Sequence, residues 1–234
     1  MTAELLIESL QALADKEKAK FLQGFFKTGK GQYAEGDIFW GIKVPETRQV
    51  AKAYHNMPFE ELKKILKNPV HEVRLCALMI LVERFKKSEE SEKKAIVDFY
   101  LSNTQYINNW DLVDLSCYKI LGNYLLDKPR DILYLLAKSK NMWEQRIAIV
   151  STWTFIRHHE LEDTLAIAEM LLDHSHDLIH KAVGWMLREL AKKDESAMLN
   201  FVETHYNQMP RTALRYAIER LDESVRKDIL QGKF

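Results

Sequence analysis

The chain has 234 residues, 47% hydrophobic and 29% charged, with 34 Lys plus Arg balanced by 34 Asp plus Glu. This is an ordinary soluble globular composition, and the balance repeats on either side of Cys117, with 17 residues of each sign in each half. A basic tail or arm is therefore excluded, and any nucleic-acid surface must be a local patch offset by acids elsewhere.

In chain order, the N-terminal MTAELLIESLQALADKEKAKF is amphipathic and acid-containing, with no apolar signal-peptide core, and predicts helices over about 3–14 and 16–27. The stretch 28–44 interrupts the periodicity with four of the chain's eight glycines: Gly29, Gly31, Gly36 and Gly41. It reads as a turn-rich crossing, with Ile38, Phe39 and Trp40 anchoring it to the core. It lacks the G-x-x-x-x-G-K-[ST] spacing and follows no strand, so it does not read as a phosphate cradle. Helical periodicity then resumes over about 45–55, 58–67, 70–87, 89–103, 109–126, 129–138, 141–158, 161–172, 176–193, 195–205, 210–221 and 223–231. Pro45 and Pro129 suit first helical turns. No stretch reads as a strand, and no apolar run reaches membrane-spanning length. Cys76 and Cys117 lie inside apolar helical patterns and read as two buried reduced thiols of a cytosolic protein.

Four of these segments share one pattern: EVRLCALMIL around Arg74, NNWDLVDLSCYKIL around Trp110, EQRIAIVSTWTF around Arg146 and IHKAVGWMLREL around Lys181. Successive members are spaced at 36, 36 and 35 residues. A period in this range marks a helical solenoid, whose helix pairs bury their apolar faces by stacking on their neighbours. The expected fold is therefore all-α, a helical-repeat superhelix with a concave binding face, formed as one domain over 1–234.

Trp110 and Asp114 are four residues apart and share a helix face, whereas Asp111 points elsewhere. Asp114 interrupts an apolar stripe, which suits either a catalytic carboxylate or an acid paired with the next repeat; Arg146 supplies such a partner. Gly184 beside Trp185 costs about 1 kcal/mol relative to alanine in a helix interior, so close packing or a partner must require it. Trp143 and Trp153 read as core. Lys138, Lys140, Arg157, Lys181, Arg188, Lys192, Lys193, Arg211, Arg215 and Arg220 concentrate basic charge in the C-terminal part; with Trp110 and Trp185 they suit either a solvated face or a phosphate-tracking surface. His176 and His180 have the spacing of two metal ligands on a helix but no accompanying H-E-x-x-H, so no metal site is assigned.

Together GIKVPETRQVAK, NWDLVD, WEQRIAIV and KAVGWMLREL resemble the AlkD family of DNA alkylation repair glycosylases, in order, from about residue 20 to about 220. The resemblance implies a HEAT-like fold and a cofactor-free, cytoplasmic, monomeric glycosylase. Its implied activity is release of N3- or N7-alkylated purines from double-stranded DNA, without drawing the base into a pocket. It places the catalytic aspartate at Asp114, the sugar-contacting tryptophans at Trp110 and Trp185, and the active-site arginine at Arg146. It also implies that Arg188 and Arg211 face the DNA backbone; Lys181, the basic residue of the fourth repeated segment, is expected to bind DNA as well. His180 departs from the family pattern, which expects Arg or Gln there, and the glycine-rich loop at 29–36 is a variant. Relatives that keep the fold without the activity leave a second reading open, a non-catalytic helical-repeat module that binds damaged or branched DNA.

Overall fold

A computed structural model describes residues 1–234. It contains no strand; the one extended pairing is an isolated parallel bridge between Ile38 and Val70. The all-α expectation holds, and the chain resolves into two compact units, Met1–Ser116 and Cys117–Phe234.

The first unit holds α1 (Ala3–Gln11), α2 (Lys16–Phe25), α3 (Val44–Ala53), α4 (Phe59–Leu66), α5 (His71–Lys87), α6 (Glu90–Leu101) and most of α7 (Trp110–Cys117). Thr2 and Asp15 cap α1 and α2 by accepting backbone N–H groups from Leu5 and Lys18. The centre is α5, which packs against α1, α3, α4 and α6 and is buried on nearly every side. A helix so placed must satisfy its polar residues internally. Glu72 does so by accepting N–H bonds from Trp40 (3.1 Å), Gly41 (2.8 Å) and Ile42 (3.2 Å), which pins the loop's return to the core. Gly41 has φ 79°, and a Cβ there would lie 2.2 Å from the Asp15 carbonyl oxygen, so only glycine fits.

The loop's expected anchors divide. Phe39 is buried and Trp40 half-buried, but the Ile38 side chain is 45% exposed; Ile38 anchors through its backbone, which bridges to Val70. Cys76 and Cys117 are both buried and stand outside any disulfide.

The second unit holds α8 (Asp131–Ala137), α9 (Met142–Ser151), α10 (Trp153–Arg157), α11 (Glu162–Met170), α12 (Asp177–Ala191), α13 (Glu195–His205), α14 (Arg211–Ala217) and α15 (Glu223–Leu230). Here α12 is central, packing on α9, α10, α11, α13 and α14. The expected continuous helix over 109–126 instead ends its α geometry at Cys117 and continues as a π turn over Tyr118–Gly122. In the widened turn the Tyr118 carbonyl accepts both the Asn123 N–H, five residues on, and the Thr154 hydroxyl at 2.7 Å. The expected helix over 141–158 breaks at Thr152, whose hydroxyl bonds back to the Ile149 carbonyl at 2.7 Å and competes with the helical ladder.

The four repeated segments fall on α5, α7, α9 and α12. Their common period thus marks the helices that carry the buried or half-buried indole, acidic and basic side chains.

Candidate functional site

In the first unit, Trp110 opens α7 and Asp114 follows one turn later on the same face; both are half-buried. The indole is held at three points. Phe26 stacks on it with centroids 5.1 Å apart and an interplanar angle of 14°. Phe25 meets it edge-on at 6.1 Å, and its Nε1–H donates to the Tyr33 hydroxyl at 3.2 Å. Phe21 and Phe25, 69% and 55% exposed, extend the aromatic surface along α2. Sequence reasoning did not single out Tyr33, Phe25 or Phe26, since each lies far from Trp110 in the chain and inside a stretch that scores as core or loop.

The start of α7 rests on a buried ionic cluster that sequence reasoning also missed. His71 Nε2 lies 2.8 Å from an Asp111 carboxylate oxygen, and His71 Nδ1 lies 3.3 Å from Asp37. Arg74 donates to Asp37 at 2.6 Å and to the Asn68 carbonyl at 2.9 Å. Asn109 donates to Asp37 at 3.3 Å, while its side-chain oxygen accepts the Trp110 N–H at 2.8 Å. Burial alone would push the His71 imidazole down, but the Asp111 and Asp37 carboxylates outweigh it and hold the ring as a cation, up to about 9. Burial likewise opposes ionisation of Asp37, and the His71 and Arg74 cations overcome it, so its carboxyl sits below the usual range. Two carboxylates, one imidazolium and one guanidinium leave the cluster neutral. Asp111 therefore does point away from Asp114, toward a structural partner.

Beside this cluster lies a pocket of about 440 Å³ with aromatic and aliphatic walls including Phe21, Phe26 and Phe39; Lys18 and Lys43 also line it, together with His71 and Asp111.

In the second unit, Arg146 on α9 is buried, and its Nη1 donates to the Leu178 carbonyl at 2.5 Å, tying α9 to the first turn of α12. Lys181, Trp185 and Arg188 follow at helical spacing along α12. Trp185 is half-buried and meets Trp153 at 5.4 Å, and Trp153 in turn meets Tyr118 at 4.6 Å. Trp143 is buried as expected, whereas Trp153 is only half-buried and forms the middle of this aromatic run. Gly184 lets α14 approach, because a Cβ there would lie 2.4 Å from the Ala213 carbonyl oxygen.

The basic candidates have partners inside the fold. Lys181 pairs with Asp177 at 2.7 Å, and Arg188 with Glu219. Arg211, although exposed, donates to the Tyr206 hydroxyl at 3.3 Å and the Leu230 carbonyl at 3.0 Å. Lys138, Lys140, Arg157, Lys192, Lys193, Arg215 and Arg220 are exposed. His176 caps α12 by accepting the Leu178 N–H at 3.1 Å, and His180 bonds to the His174 carbonyl; both histidines serve the local fold.

The model of a family described as DNA alkylation repair enzymes matches residues 6–221. Among solved structures, a chain described as a predicted DNA alkylation repair enzyme from Enterococcus faecalis is similar in fold. It is 18% identical, the alignment covers 90% of this chain and 97% of that one, and the TM-score is 0.71. No curated protein matches the chain.

Proposed function

This chain belongs to the DNA alkylation repair enzyme family, and we propose that within it the protein is a monofunctional DNA glycosylase. In this reading it hydrolyses the N-glycosidic bond of N3- and N7-alkylated purines in duplex DNA, leaves an abasic site, and works as a cytoplasmic monomer without cofactor or metal. The observation that carries the proposal is the pair Trp110 and Asp114, an indole and a carboxylate one turn apart on α7, neither sealed into the core.

An N3- or N7-alkylpurine already bears a positive charge, so it departs as a neutral base without a general acid. The bond that breaks leaves an oxocarbenium-like sugar. The Asp114 carboxylate stabilises that cation and orients the attacking water, whose oxygen bonds to the sugar carbon as its proton is lost to solvent or to Asp114. An indole face offers the same cation its negative quadrupole. Phe26 covers one face of Trp110, so the sugar meets the other. In the second unit, Trp185 is assigned a second sugar contact, and Arg146 a phosphate near the lesion. Lys181, Arg188 and Arg211 are assigned backbone phosphates, which they engage by exchanging their present intramolecular partners. Recognition through backbone and sugar requires no pocket for the lesion base, unlike enzymes that flip the base.

Release of 7-methylguanine from a defined duplex under single-turnover conditions tests this reading. The native protein is expected to release the base, and Asp114→Asn to lose roughly tenfold or more in rate while still binding DNA. Native protein that binds the duplex at low salt yet releases nothing establishes the non-catalytic DNA-binding module instead.

A further inference from the structure

The proposed chemistry uses Trp110 and Asp114, but not the buried cluster beneath them. We infer that His71 is a positioning residue for Trp110 and Asp114, fixing the first turn of α7 through Asp111 and Asp37 and the Trp110 indole through Phe26. The kinetic part of this inference rests on the glycosylase reading; the structural part does not.

Two independent routes run from the imidazole to α7. The first is hydrogen-bonded. His71 Nε2 donates to Asp111, the second residue of α7, at 2.8 Å. Asp111 in turn accepts the Leu112 N–H at 2.9 Å through its other oxygen, so the side chain is fixed at both ends. His71 Nδ1 donates to Asp37, which also receives Asn109, and the Asn109 side-chain oxygen accepts the Trp110 N–H. A neutral imidazole donates from only one nitrogen. Spanning two carboxylates therefore takes both ring protons, and the cation so formed, together with the Arg74 guanidinium, balances them. The second route is stacked. The His71 ring lies on Phe39 at 4.5 Å and against Phe26 at 5.1 Å, and Phe26 stacks on Trp110 at 5.1 Å.

Placement by His71 is consequential because α7 is a short helix carrying both reactive side chains. Its first backbone N–H groups depend on Asn109 and Asp111 for partners. Removing the imidazole leaves Asp111 without its bridging donor and opens space beside the stacked pair of Phe26 and Phe39. The first turn is then free to rotate, and with it the indole and the carboxylate one turn on. Misplacement of reacting groups by about 1 Å costs on the order of a hundredfold in rate without requiring any loss of substrate binding.

The test compares His71→Ala and His71→Gln with native protein labelled with 5-fluorotryptophan, the Trp110 fluorine resonance being assigned from Trp110→Phe. In His71→Ala the Trp110 resonance is expected to shift or broaden while that of Trp185 stays. The single-turnover rate of 7-methylguanine release is expected to fall by roughly tenfold or more with duplex affinity held within about twofold. Added imidazole is expected to restore part of the rate, because the pocket of about 440 Å³ that His71 lines gives it access to the vacated position. His71→Gln, which keeps one donor, should fall between. An unmoved Trp110 resonance in a folded variant overturns the inference, as does an unchanged rate of release. So does a joint loss of rate and affinity with no response to imidazole, which marks a general structural role. Native protein that releases no base, with a Trp110 resonance that still moves in His71→Ala, sinks the glycosylase reading and leaves the positioning role standing.

Discussion

Trp110 and Trp185 are both half-buried indoles on helices of the repeat, yet the two units hold them by different physics. Trp110 is braced by a buried ionic cluster at the start of α7, by a stacked phenyl ring and by a hydroxyl that takes its N–H. Trp185 is braced by packing: a glycine that admits α14 to van der Waals contact with α12, and a neighbouring indole. The charges near Trp185 on α12 form partly exposed pairs such as Lys181 with Asp177, which contribute little to stability. An electrostatic support is sensitive to the loss of a single charge and to pH, whereas a steric one is sensitive to added volume. The contrast between the units can therefore be broken by experiment.

The largest effect is expected from Asp37→Ala. Asp37 receives Arg74, His71 and Asn109, and its removal leaves two cations facing a single carboxylate inside the core. Breaking a buried charge cluster from one side costs about 3–5 kcal/mol. Thermal melting should show the loss, and hydrogen exchange should place it on α5 and α7 with α12 unaffected. Equal loss of protection on α12 would erase the distinction between the units.

A smaller effect, of a different kind, is expected from Gly184→Ala. Alanine gains about 1 kcal/mol of helix propensity over glycine. Against this, the new Cβ would lie 2.4 Å from the Ala213 carbonyl oxygen and 2.5 Å from Tyr216 Cβ, so α14 must move. Overpacking of this sort costs about 1–3 kcal/mol, which exceeds the propensity gain over most of its range. Net destabilisation, read as lowered protection of α12 and α14 and independent of pH, supports the steric account. A stabilised variant would show that the two helices have room to spare.

The same contrast explains what was legible in the sequence. Periodicity gave the helices, and the repeat picked out α5, α7, α9 and α12, because both depend on residues three, four or about 36 positions apart. Gly184 signalled its own purpose, since a glycine inside a helix is costly unless something comes close. The cluster under Trp110 gave no such signal. His71 meets partners 34 and 40 residues away, and Asn109 meets Asp37 across 72. Asp111 read as a residue facing away from the site because a helical face shows which neighbours share a side, not what waits on the other. The π turn after Cys117 was equally hidden, as the Thr154 hydroxyl that bonds to it lies 36 residues on. Ile38 read as an anchor by its apolar side chain, whereas the contact that holds it is made by the backbone.

The expected effect that separates the two supports most cleanly is on the unmodified protein as pH rises. His71 is a cation in the fold up to about 9, against an ordinary value of 6.5. Its contribution is fully present below 6.5, where the unfolded chain is protonated too, and is lost as pH climbs from there through about 9. Over that window one proton separates the folded from the unfolded state, so stability falls by at most about 1.4 kcal/mol per pH unit. The groups facing the imidazole are Asp37, Asp111 and Arg74; the Cys76 thiol on α5 is pushed by burial up to about 12 and stays protonated. On the acid side the sign reverses, and the contribution of Asp37, whose carboxyl is depressed, is lost as pH falls from 3.8 through its lowered folded value. In the second unit His174 is lowered by burial and by His176 and His180, and so is already neutral above pH 7. Amide protection, corrected for the intrinsic rise of exchange with pH, should therefore weaken across α7 between pH 7 and 9 and hold across α12. A parallel slope on both helices would mean that they open together, and that the ionic brace under Trp110 is not what distinguishes it.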